Sequence, residues 1–172
     1  MIKVAHEAPL SIFETIQKHT DYDYALVHLF EESEEYLNKF IKARDNGREI
    51  ILDNSIFELE EAFDAEQFSG WVRFLKPTWY IVPDALEEKD KTIAQFESWR
   101  ELYWDTPGKS IGVVQGKSYE EVVECYEYMK EHADMVAISF DYSFFEDIFP
   151  DESTKYHKWM KGRQWLIQKM ED

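Results

Sequence analysis

The chain has 172 residues, enough for one domain with a sizeable core and too few for most two-domain plans. Hydrophobic residues make up 44% and aromatics 16%, with 6 Trp, 10 Tyr and 12 Phe, which excludes a disordered chain and implies heavy aromatic burial. A formal charge of −17 argues against a surface that grips nucleic acid over its whole extent, and the lone Cys125 excludes an internal disulfide or a cysteine-based zinc cluster.

Taken in chain order, "MIKVAHEAPLSIFE" lacks the basic start and long apolar core of a secretory signal. No later run approaches the roughly 20 apolar residues of a membrane span, so a soluble, cytoplasmic protein with no membrane partner is expected. A helix is predicted at about 8–18, then a strand in "YALVHLF" (24–30). "SEEYLNKFIKARDNG" reads as a helix over 33–46, with Ser33 as N-cap and Gly47 as its stop. The strand "EIILDNS" (49–55) follows, then a helix at 59–75 and the strand "WYIVPD" (79–84).

The segment 87–103 sets Ile93, Phe96, Trp99, Leu102 and Tyr103 at helical spacing before "DTPGK" turns the chain. "SIGVVQG" (110–116) is a strand, and "KSYEEVVECYEYMKEH" opens a helix over 118–132 with a capping-box pattern at Ser118 and Glu121. The strand "MVAISFD" (135–141) and a helix at 152–170 complete the series. Residues 155–169 carry five Lys or Arg and no acid, interleaved with Tyr156, Trp159 and Trp165. A terminal helix packing its aromatics on the body explains this better than a nucleic-acid stripe, which stays as the alternative.

Each strand run is short and uniformly apolar, as expected for strands covered on both faces. Five strand–helix units joined by right-handed crossovers make an α/β domain with a parallel sheet over 1–172, either an open doubly wound sheet or a (β/α) barrel. In both, ligands meet the C-terminal strand ends. His28, Asp53, Asp84, Gln115, and Ser139 with Asp141 fall at or just past those ends. One such residue is an ordinary helix cap; five positions in register suggest a site. His6 and His28 are within reach of it, although a structural histidine explains either. Cys125 lies mid-helix and reads as packing. No G-x-G-x-x-G, P-loop, metal-ligand spacing or nucleophile elbow is present.

"IGVVQG" followed by "SYEEVVECYEYMKEHADMVAIS", together with "ILDNSIFE" (51–58) and "VPDALEEKDKTIAQFESW" (82–99), resembles in order and spacing the tRNA-guanine transglycosylase family. The likeness spans about 20–142 and is nearest to the divergent, phage-type members that handle 7-deazaguanines. It implies a TIM-type barrel and exchange of guanine in tRNA or DNA for a 7-deazaguanine through a covalent ribose–aspartate link. On this resemblance Asp53 is an acid/base beside the sugar and Phe57 stacks on the base. Asp84 accepts from the amidine edge, while Gln115 and Gly116 read the carbonyl edge, the glycine leaving room for the base.

Asn54, Ser55 and Ile56 depart from the family's Ser-Gly-Gly, and "ISFDYSF" (138–144) lacks its glycines. The nucleophilic aspartate and the zinc site belong to later family segments, so no metal or other cofactor is expected in this chain. About five of eight strands leave an incomplete barrel, explained by a second chain that completes it, by a shortened chain, or by a rearranged open sheet; the first is favoured. Asp141 is the stand-in nucleophile if the chain acts alone. The alternatives in function are a non-catalytic guanine- or 7-deazaguanine-binding subunit and an unrelated α/β enzyme acting on a small metabolite.

Overall fold

The computed structural model describes residues 2–171. Its sheet has six parallel strands in the order of the sequence: β1 (Ala5–His6), β2 (Tyr22–Leu26), β3 (Glu49–Asp53), β4 (Trp79–Ile81), β5 (Lys109–Val114) and β6 (Met135–Ile138). The helices between and after them are α1 (Phe13–Gln17), α2 (His28–Glu32), α3 (Glu34–Asp45), α4 (Ile56–Leu59), α5 (Ala65–Leu75), α6 (Lys89–Leu102), α7 (Tyr119–His132), α8 (Phe144–Ile148) and α9 (Lys155–Glu171).

A doubly wound sheet reverses its strand order at a switch point. Here the order never reverses, so right-handed crossovers lay the helices along one face and the sheet curls as part of a barrel. The six strands exceed the five expected, because β1 has only two residues and lies in a segment of mixed polarity. No described helix is long and apolar enough to cross a membrane.

The strands are not covered equally on both faces, contrary to the reading of their composition. Burial alternates along β3, where Ile50 and Leu52 are buried and Glu49, Ile51 and Asp53 only half-buried. Ala25, Ile50, Leu52, Tyr80, Val82 and Val114 point to the helices and join one core with Phe40, Phe68, Phe96, Trp99 and Met129. Each such buried side chain of leucine size contributes about 1.5–3 kcal/mol. The intervening residues line the concave side.

The helix signals hold locally. Ser33 caps α3 by accepting from the Tyr36 N–H at 3.1 Å, and Tyr36, Phe40 and Ala43 form its buried stripe. Ser118 caps α7 in the same way, through Glu121 N–H at 3.3 Å, while Glu121 reaches back to the Lys117 N–H at 2.7 Å. The single helix expected over 59–75 is instead α4 and α5, separated by a turn with Glu60 in the left-handed region.

At the N-terminal end of the sheet the buried Asp23 receives Arg48 in a two-pronged pair, at 2.9 and 3.3 Å, and Gln17 at 2.7 Å. α9 packs through Leu166 and Gly162, where an added Cβ would lie 2.1 Å from the Phe145 ring. Trp159 and Trp165 are half-buried against Phe140 and Tyr119, so these two rings pack on the body, while Tyr156 stays exposed.

Candidate functional site

The concave side opens at the C-terminal strand ends into a cavity of about 540 Å³. Tyr24 and Leu26 of β2, Asp53 of β3, Ile81 of β4, Val113 and Gln115 from β5, and Ala137 and Ser139 from β6 line it two residues apart, as alternation along a strand requires. Asp84, Phe57 and Asp141 line it as well, from the loops that follow the strands. Five acids (Glu7, Asp53, Glu58, Asp84, Asp141) face one cation, Arg163.

Three consecutive strand ends are tied together around Asp84, which is 3% exposed. Asn54 donates from Nδ2 to Asp84 Oδ1 at 2.8 Å and to the Val82 carbonyl at 3.1 Å. Gln115 donates from Nε2 to Asp84 Oδ2 at 2.7 Å, and its Oε1 accepts from the Glu87 N–H at 2.9 Å. Burial raises the Asp84 carboxyl above the usual carboxylate range, and the two amide donors partly offset this. Among the described residues no cation reaches it. Each carboxylate oxygen keeps a lone pair and Gln115 keeps one N–H for a further partner.

Asp53 is held differently. One oxygen accepts from the Tyr24 hydroxyl and the other from the Ser55 N–H at 2.6 Å. Desolvation pushes its carboxyl up to about 6 against the pull of those two donors, with the charges of Glu58 and Asp84 adding to the rise. The Tyr24 phenol is pushed well above its ordinary value, chiefly by burial and then by the Asp53 charge. Ser55 adopts φ 61, the left-handed region, where a residue with a side chain is strained. That backbone turns the Ser55 N–H onto Asp53, a local strain of the kind found at functional sites.

Phe57 is 56% exposed at the mouth, 5.8 Å from the Phe140 ring. Ser139 donates from its hydroxyl to Asp141 Oδ1 at 2.7 Å. The structure therefore brings Asp53, Phe57, Asp84, Gln115, Ser139 and Asp141 to one cavity.

Three of the positions read from the sequence lie outside the lining residues. His28 falls just past the end of β2, where it begins α2, with Nδ1 buried and no partner among the described residues. His6 likewise is not a lining residue; its neighbour Glu7 is. Gly116 is small for another reason: an added Cβ would sit 2.8 Å from Glu121 Cβ and Val122 N, so the space serves the seating of α7. Cys125 packs as expected, buried, with Sγ 3.4 Å from the Gln115 N–H.

Tyr24, Asn54, Glu87 and Arg163 were missed by the sequence reading. Alternation along "YDYAL" was the available signal for Tyr24, two residues before the inward Leu26. Among the described residues no group of three or more His, Cys, Asp or Glu side chains is placed to hold a metal ion. Compared with models of known protein families and with curated proteins, the chain matches none.

Proposed function

We propose that the cavity binds a guanine-like base and that the chain is one part of a base-exchanging transglycosylase acting on nucleic acid. The observation that carries this reading is the convergence of Asp53, Asp84 and Gln115, from three consecutive parallel strands, on one cavity. A guanine edge presents N–H donors beside a carbonyl acceptor. The spare lone pairs of Asp84 suit the donors and the remaining Gln115 N–H suits the acceptor. Phe57 supplies an aromatic face at the mouth. The order of the motifs and their resemblance to the guanine transglycosylases support the same reading.

In the reaction, the C1′–N9 bond breaks, its electron pair stays with the departing base, and a carboxylate oxygen bonds to C1′. The incoming base then attacks C1′ through N9, the C1′–O bond breaks, and the N9 proton is released. Asp53, with its carboxyl near 6, is suited to deliver and recover that proton near neutrality. Asp84 and Gln115 orient the base. The nucleophilic carboxylate comes from a second chain that completes the barrel. In support, β1 and β6 each pair on one side only among the described residues, and the concave row is half-exposed.

Calorimetry with free 7-deazaguanine tests the pocket, and transfer of labelled guanine into tRNA or single-stranded DNA by the assembled protein tests the reaction. Binding is expected to weaken at least tenfold in Asp84→Ala, since a hydrogen bond to a charged acceptor is worth about 1.5–3 kcal/mol. In Asp53→Ala, binding persists and exchange is lost. Binding without exchange in any assembly would make this a non-catalytic subunit. No affinity for any guanine-like base would return the cavity to a small metabolite and end the proposal.

A further inference from the structure

Beyond its acidic interior, the cavity mouth continues from Phe57 into a row of rings and cations that extends past what one base would use. Phe57 and Phe140 stand 5.8 Å apart, Phe140 meets Trp159 at 5.5 Å, and Trp159 meets Tyr156 at 5.5 Å. Cations interleave with them. Arg163 sits 6.0 Å over the Phe140 ring, and Lys155 lies 5.0 Å over Trp159 and 5.4 Å over Tyr156. The row thus leads from the turn after β3, across the loop after β6, to the first turn of α9.

Folding accounts for the half-buried Trp159 but not for the other rings. Phe57 is 56%, Phe140 41% and Tyr156 66% exposed, whereas α9 is seated through Trp159, Gly162 and Leu166, which share one face at i, i+3 and i+7. Contiguous exposed aromatics mark an interaction surface. Neither Lys155 nor Arg163 makes an ion pair with another described residue. In a chain of charge −17, residues 155–169 hold five cations and no acid. The surface is therefore complementary to a polyanion that also carries flat apolar faces.

We infer that this row holds the single-stranded stretch of nucleic acid flanking the nucleotide whose base enters the cavity. Bases stack on the rings without sequence readout, and Lys155 and Arg163 meet phosphates. An acidic protein would use the cations and leave a line of exposed rings unexplained. The inference rests on reading the cavity as a base pocket, and it locates the polymer that the base belongs to.

The test is fluorescence anisotropy of the full chain with a labelled single-stranded oligonucleotide containing one guanine. Tyr156→Ala and Lys155→Glu are the variants, both exposed and outside the cavity. Each is expected to raise the oligonucleotide Kd about tenfold, in line with removal of one stacked base or one phosphate contact. Thermal unfolding and calorimetric affinity for 7-deazaguanine should stay unchanged. Lys155→Glu should also flatten the salt dependence of binding by about one counterion.

Unchanged oligonucleotide affinity in both variants, or none in the parent chain, would overturn the inference while leaving the base pocket standing. Equal binding of poly-glutamate would assign the row to a protein partner and overturn it too. Oligonucleotide binding that depends on the row, together with no affinity for the free base, would sink the pocket reading and keep the strand site.

Discussion

Asp23 and Asp84 are equally withdrawn from solvent, each 3% exposed, at opposite ends of the same sheet. Asp23 is neutralised by the forked Arg48 guanidinium. Among the described residues Asp84 receives uncharged donors alone, the amides of Asn54 and Gln115 and its own backbone N–H, and its neighbour Asp53 a phenol and a peptide N–H. Burying a carboxylate costs several kcal/mol unless it is compensated. The N-terminal end compensates with a full charge, as a group that only holds the fold should. The C-terminal end compensates with dipoles alone and leaves its acids unneutralised, ready for a donor-rich ligand.

The contrast breaks most visibly at Arg48. Arg48→Ala strands Asp23 without its cation and is expected to cost about 3 kcal/mol or more in urea unfolding. A loss below 1 kcal/mol would show that the pair is as weak as a surface contact. At the other end the sign reverses. Folded Asp53 binds its proton more tightly than the unfolded chain does, so stability falls as pH rises from about 3.8 to about 6 and is flat above.

Asp53→Asn keeps the side-chain shape, has no charge to desolvate, and should gain about 1–3 kcal/mol at pH 7. That gain should fade by pH 4. A constant difference across this range would deny that desolvation raises the Asp53 carboxyl. The smallest effect belongs to Ser55→Gly, which relieves the left-handed strain and should stabilise by about 0.5–1 kcal/mol. Its exchange activity should fall if the freed backbone no longer presents the N–H to Asp53.

The longer strands were legible because each is an apolar run between turn residues, and α3 and α7 because Ser33 and Ser118 announce their starts. β1 was not, since two residues make no pattern. α2, α4 and α8 are one-turn helices that a sequence does not separate from loops. "YALVHLF" hid a boundary: the strand stops at Leu26 and the chain turns into α2, which begins at His28.

Within the site, Asp53, Asp84 and Gln115 stood out as polar groups at apolar strand ends. Their ties to one another did not. Glu87 contributes through a left-handed backbone, φ 56, which its identity does not reveal. Arg163 reaches the cavity from a helix far along the chain, and only tertiary packing puts it there.

The bare α-carbon of Gly162, pressed on the Phe145 ring, works as a notch for the last helix. Sliding that helix by one position in either direction would drive Lys161 or Arg163 into a gap that admits a hydrogen and nothing larger. The guanidinium that caps the Phe140 ring at the cavity mouth is thereby indexed to a phenylalanine on the preceding helix, Phe145.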